Sequence, residues 1–228
     1  MHILERLPRE TGRDYALRTI KENIIHLDLA PGSQISENEL AAEMGLSRTP
    51  VREALIELSK VKIVEIQPQK KSTVSLIDYA MVDEARFMRN LLECAVVELD
   101  CEMATAADID RLRENVRLQN FYLDSYYPDS LMALDNQFHA ALFEIAQKSQ
   151  VYMLMQGISI HFDRVRSMAL NSVKNTKIVE DHAIIVKAIE SRDAALARSM
   201  MEKHLNRYKI DASALRKTYP DFFMNTED

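Results

Sequence analysis

The sequence predicts a mainly α chain in two parts, an N-terminal winged helix-turn-helix over residues 1–77 and an all-α helical bundle over residues 78–228. Three observations predict it. Two short amphipathic segments, Ser36 to Met44 and Ser47 to Leu58, are joined by a tight Gly45-Leu46-Ser47 connection with glycine at the left-handed position. Val64 and Ile66, then Val74 and Leu76, alternate with polar residues on either side of a polar tip, as a two-stranded hairpin requires. From Ile77 onward alternation gives way to 3.6-residue periodicity, with Gly157 as the only glycine in that half.

Length and charge bound the rest. A chain of 228 residues with 47% hydrophobic content can bury two modest cores. No apolar run approaches the roughly 18 residues that span a bilayer, and Glu5, Arg6 and Arg9 interrupt any signal-peptide core at the start. A cytoplasmic protein with no membrane partner is expected. The net charge of −6 is unevenly spread: residues 1–77 hold 11 Lys and Arg against 11 Asp and Glu, leaving 18 against 24 for the remainder. Within the neutral half, Arg48, Arg52, Lys60, Lys62, Lys70 and Lys71 crowd into a local basic patch. The only cysteines, Cys94 and Cys101, are seven apart on one helix, about 10 Å along its axis, too far to bridge, and read as buried thiols.

In chain order, residues 1–13 are polar, contain Pro8 and Gly12, and read as a loosely held arm. Asp14 to Leu29 carries Leu17, Ile20, Ile24 and Leu27 at helical spacing and stops before Pro31-Gly32. In the Ser47 helix the serine hydroxyl caps the first turn, where Pro50 loses no hydrogen bond. Val51, Ala54, Leu55 and Leu58 form its apolar stripe, which leaves Arg48, Thr49 and Arg52 on surface to the side. A helical hairpin with a solvated arginine face would share this periodicity; a DNA-reading helix uses it. In the second half, helices are expected at about 79–103, 106–122, 131–148, 151–170, 178–191 and 194–215.

The stretch LAPGSQISENELAAEMGLSRTPVREAL resembles the winged helix-turn-helix of GntR-family transcription regulators almost residue for residue, over roughly Leu17 to Leu76. The resemblance implies double-stranded DNA as partner, with Arg48, Thr49 and Arg52 on the operator and Lys70 and Lys71 of the wing on phosphate or the minor groove. Departures are Asn38 where many members have arginine, Lys62 for a usual glycine after the recognition helix, and Lys71 for a usual wing-tip glycine. A winged module followed by about 150 residues of helix resembles the FadR-like branch, whose second domain binds an effector and dimerises.

The chemistry of that half centres on Asp135 and His139, four apart on one helix face beside Leu131, Leu134, Phe138 and Leu142. His182 and His204 lie 11 residues before and after Asp193, so a helical hairpin turning there returns both imidazoles to one height. One Asp and three His could share an ion, or the histidines could sit apart. DNQFH and the histidines of EDHAIIVKAIESRDAALA and MEKHL match the metal-ligand set of metal-binding members of the branch. The set suits Zn2+, Ni2+ or Mn2+, with zinc the default. Four protein ligands in an octahedral field would leave two positions for a carboxylate effector. Gln150, where the pattern often has Asn, and Arg192, where it often has Gly, depart outside the ligand set.

Arg89, in an element resembling RxxLE, is the expected effector clamp, with an ordinary ion pair to Glu93 as its other reading. Arg164 and Arg166, two apart, cannot share a helix face, and Arg166 is the one expected inside. His161 reads as helix surface or core filler. The resulting expectation is a homodimeric regulator, a repressor released by a carboxylate metabolite, reading a palindrome through two recognition helices. The alternative from another class is a zinc hydrolase using the Asp/His set, with Glu180 or Asp181 as base. No G-x-S-x-G, H-E-x-x-H or phosphate loop accompanies it.

Overall fold

The computed structural model describes residues 1–67, 71–172, 177–207 and 214–224. They pack as two compact units, Met1–Val82 together with the segment from Arg216 on, and Asp83–Leu215. The described tail therefore belongs with the winged unit, although the sequence division at 77/78 grouped it with the helices.

The first unit contains α1 (Gly12–Ile25), β1 (Gln34–Ile35), α2 (Glu37–Met44), α3 (Arg48–Lys60), β2 (Val64–Glu65) and β3 (Ser72–Val74). Its core joins Ile20 and Ile24 of α1 to Val51, Ala54, Leu55 and Leu58 of α3, all essentially solvent-free. Gly45 ends α2 at φ 65°, the left-handed geometry expected of it. α3 begins at Arg48, but the Ser47 hydroxyl makes no cap bond, so Pro50 and packing set that boundary without it.

Four other expectations change in this unit. α1 stops at Ile25, because Leu27 turns left-handed at φ 66° and the Leu29 N–H returns to the Asn23 carbonyl at 3.0 Å. The hairpin becomes a three-stranded antiparallel sheet in the order β1-β3-β2, with Gln34 opposite Thr73 and Val64 opposite Val74. Ile66 lies just beyond β2 and is exposed. The N-terminal arm is tied down: the His2 N–H donates to Asn23 Oδ1 at 2.6 Å, the Tyr15 hydroxyl to the Leu4 carbonyl, and Arg18 takes both oxygens of Glu10 at 2.8 Å. That fork holds the Glu10 carboxyl down at about 2.

In the tail, Met224 N–H donates to Ile77 O, Phe223 stacks on Tyr79 at 5.2 Å, and the Arg216 guanidinium lies 4.3 Å from the same Tyr79 ring.

The second unit is helical: α4 (Tyr79–Met103), which begins in the first unit, then α5 (Ala106–Asp124), α6 (Pro128–Ile145), α7 (Ser149–Ser172), α8 (Lys177–Glu190) and α9 (Ala194–Asn206). α6 starts three residues before the expected boundary because Pro128 takes its first position. α9 closes at Asn206, short of the expected 215, and residues 214–218 are again helical. Val97, Leu112, Phe138, Phe143, Ile185, Ile189, Ala197 and Met201 meet in one core cluster. Cys94 and Cys101 are buried free thiols, and burial pushes each up to about 11, so neither is reactive at neutral pH.

Candidate metal centre and nucleic-acid interface

α6 carries Asp135 and His139 one turn apart on the face that packs inward, α8 contributes His182, and α9 contributes His204. Asp193 does mark the turn between α8 and α9, accepting the Leu196 N–H at 3.0 Å as a helix cap. The two imidazoles consequently meet, with His182 Nε2 and His204 Nε2 3.3 Å apart and His204 Nε2 also 3.3 Å from His139 Nε2. Asp135 completes the group, its Oδ1 3.6 Å from His182 Nε2 and its Oδ2 3.8 Å from His139 Nε2. One donor atom from each residue lies within 4.8 Å of every other.

The surrounding side chains orient these donors. Gln119 of α5 accepts from His182 Nδ1–H at 2.8 Å, which places the free lone pair on Nε2, facing the centre. Gln119 is itself held by Asn115 at 2.6 Å, and Asn115 donates to the Leu134 carbonyl of α6. Phe138 stacks on the His182 ring at 4.1 Å. Glu93 Oε2 approaches His139 Nδ1 to 2.5 Å, close in distance yet outside hydrogen-bond alignment. Gln119 and Glu93 were not singled out in the sequence as site residues. Gln119 has a readable signal: it is the polar member of the buried row Ile109, Leu112, Val116, Gln119, Leu123.

The electrostatics favour a cation. Burial pushes His139, His182 and His204 down, with Arg89 adding to the effect on His139 and the other two histidines on His204, so the rings are neutral. Burial pushes the Asp135 carboxyl up, but Arg166 and the histidines outweigh it and hold the group below its usual range. Three inward-facing nitrogens and an ionised carboxylate thus converge in a dry interior. Asp135 Oδ2 and His204 Nδ1 have no hydrogen-bond partner among the described residues. Three imidazole nitrogens and one carboxylate brought together in this way fit a divalent transition metal.

Arg89 lies 2.6 Å from Glu93 Oε1, with its guanidinium 5.1 Å from the Phe162 ring centroid, so the i, i+4 pair is what forms. Arg166 points toward α6, with Nη1 3.5 Å from Asp135 Oδ2 and Nη2 bonded to Asn136 Oδ1. The expectation that only one of Arg164 and Arg166 turns inward is corrected. α7 is packed on all sides here, and Arg164 is fully buried with Nη2 3.4 Å from His161 Nδ1. His161 is buried, as a core residue rather than a surface one. Asp181 is engaged by Arg207, with Nη2 donating at 2.7 Å and Nε donating to the other oxygen, which leaves it no role as a hydrolytic base.

On the first unit, Arg48, Thr49 and Arg52 are all exposed on one side of α3. Arg48, Arg52 and Lys71 border a groove of about 500 Å³ with Asn38, Gln67 and Ser72. Lys71 is exposed beside β3, and Lys70 lies outside the described residues.

Residues 15–74 match the family described as bacterial regulatory proteins, gntR family, and residues 84–207 match the FCD domain. The chain is 29% identical over 217 residues to the HTH-type transcriptional repressor RspR of Escherichia coli K12, covering 95% of each. It is 35% identical over 218 residues to an HTH-type transcriptional regulator in an unstable DNA locus of Streptomyces ambofaciens, covering 94% of this chain and 90% of that one. The fold matches that of E. coli McbR/YncC with a TM-score of 0.78 at 20% identity, over 92% of this chain and 99% of that one.

Proposed function

The chain belongs to the gntR family of bacterial regulatory proteins and carries an FCD domain, and from that premise we propose a homodimeric repressor that leaves its operator when a carboxylate effector binds beside a divalent metal. The observation that carries the sensing half is the convergence of Asp135, His139, His182 and His204 within 4.8 Å in the buried interior. These four would hold the ion, zinc by default, which supplies a Lewis-acidic anchor for an effector oxygen.

The protein's own groups do the rest. Gln119 holds the His182 tautomer, and Arg166, already beside Asp135 Oδ2, is the better-placed clamp for a second carboxylate oxygen. Arg89 serves the effector only by exchanging Glu93 for it. Asp135 and His139 share α6, while His182 and His204 sit on α8 and α9. An effector that draws these helices together therefore alters packing across three elements, and it shifts DNA affinity only if it binds the two states differently.

On DNA, Arg48, Thr49 and Arg52 would enter the major groove, with Lys71 and Lys70 of the wing on the backbone. Two such faces related by a two-fold axis read a palindrome. The families and relatives matched are transcription regulators, not enzymes, and a hydrolase has no support among them.

The test is to incubate metal-replete protein with fragments of its source genome and sequence what is retained at stated salt. Enrichment of one short palindrome by the native protein and its loss with Arg52→Ala is expected. Equal enrichment by both proteins would remove Arg52 from the readout, and no enrichment with or without metal would defeat the regulator mechanism.

A further inference from the structure

The DNA-facing groove carries its own negative charges. Two residues of the first turn of α2, Glu37 and Glu39, reach the cations beside it: Glu37 Oε2 lies 3.3 Å from Arg48 Nη2, and Glu39 Oε1 lies 3.1 Å from Lys71 Nζ. The second pair spans 32 residues of sequence and ties the residue before β3 to α2. Ser36 caps the same turn, its hydroxyl accepting the Glu39 N–H at 3.5 Å, so the helix start directs this carboxylate outward beside Lys71. Arg52, in the same groove, has no ion-pair partner among the described residues.

We propose that Glu39 sets the sequence-independent part of DNA affinity: it screens the backbone-contacting Lys71 and so weakens binding to DNA of any sequence, while base reading by Arg52 goes unscreened. This rests on the reading of the α3 face as the DNA surface. Duplex DNA presents a phosphate charge about every 1.7 Å of axis, and a carboxylate 3.1 Å from a contacting ammonium competes with those phosphates for it. That penalty is the same for every sequence. It therefore lowers affinity for operator and random DNA alike and leaves the preference for the right bases unchanged. An exposed pair of this kind adds little to folding, so its presence at the groove weighs more for binding than for stability.

Anisotropy titrations of the full-length, metal-replete protein with a random-sequence duplex of about 30 base pairs, across a salt series, test this directly. Glu39→Gln is expected to bind about three- to tenfold tighter at low salt, with a log–log salt slope steeper by up to about 0.9. Lys71→Gln should bind more weakly, and Glu39→Gln placed in the Lys71→Gln background should change nothing further. A Glu39→Gln protein that binds as the native one does, while Lys71→Gln weakens binding, overturns the role of Glu39. So does tightening that persists without Lys71. Weaker binding by Glu39→Gln would mean the carboxylate only braces α2, which also overturns it. If neither Lys71→Gln nor Arg52→Ala alters binding, the DNA-face reading itself fails.

Discussion

Lys62 and Arg192, two positions at which the sequence resemblance leads one to expect glycine, each adopt φ 59°. The left-handed region costs a β-carbon-bearing residue about 1–2 kcal/mol, and the two residues differ in what offsets it. Arg192 donates from Nη1 to the Cys101 carbonyl at 2.6 Å and from Nη2 to the Ala104 carbonyl at 2.9 Å, satisfying the end of α4. The Lys62 side chain has no partner among the described residues. Thermal or denaturant unfolding should therefore show Lys62→Gly stabilised by roughly 0.5–1 kcal/mol and Arg192→Gly destabilised, the opposite sign for the same replacement.

Asp100 is the other residue whose chemistry is set by its place. It is fully buried on α4, and neither carboxylate oxygen has a hydrogen-bond partner among the described residues. Burial, aided by Asp108, pushes its carboxyl up to about 8. A raised carboxyl leaves stability intact below the unfolded value near 4 and drains it as pH climbs to 8, because the unfolded chain ionises first. Asp100→Asn removes that drain. Its advantage over the native protein should be small at pH 4 and grow to a few kcal/mol at pH 8, at about 1.4 kcal/mol per unit of displaced titration. A pH-independent difference would show that Asp100 finds a partner on its charged form.

Among the elements, α5 joins the site although it contributes no metal-ligating candidate. Through Gln119 and Asn115 it links His182 on α8 to the α6 backbone beside Asp135. Gln119→Leu removes the acceptor that keeps the proton on His182 Nδ1, and outer-shell losses of this kind cost about 10–100-fold in metal affinity. Competition against a chelating dye should detect that weakening, and Gln119→Glu, which retains an acceptor oxygen, should recover most of it. Equal affinity in all three proteins would mean that His182 keeps its tautomer unaided. The α8–α9 hairpin was more transparent. Equal spacing about Asp193 already indicated that His182 and His204 would meet, since two helices of equal rise leave one turn together.

For the whole molecule, the metal reading joins residues as distant in sequence as Asp135 and His204. If these donors act as one site, His139→Ala, His182→Ala and His204→Ala should each lower bound metal in elemental analysis of purified protein, while retaining helical circular dichroism. Full retention in all three variants would end the proposal of a shared ion. No described helix is long and apolar enough to cross a membrane. The chain passes from the winged unit into the helical unit at Val82 and back at Leu215, so two covalent connections link the DNA-facing unit to the sensing one.

The sequence alone determined the helix-turn-helix, the wing and the run of amphipathic helices, because period and glycine placement are local properties. It also carried the candidate ligand quartet, since i, i+4 spacing on α6 and symmetry about a turn are one-dimensional facts. What it left open depends on neighbours far away in the chain. The pairing of β1 with β3, the fastening of the arm by Asn23 and the return of the tail to Tyr79 and Ile77 are choices among partners that no local pattern ranks. The same holds at the site, where only packing decided that Arg164 and Arg166 both turn inward, and that a core glutamine faces His182. A buried polar group takes whichever complementary partner the tertiary fold brings within reach, because going without one costs more than any local preference can supply.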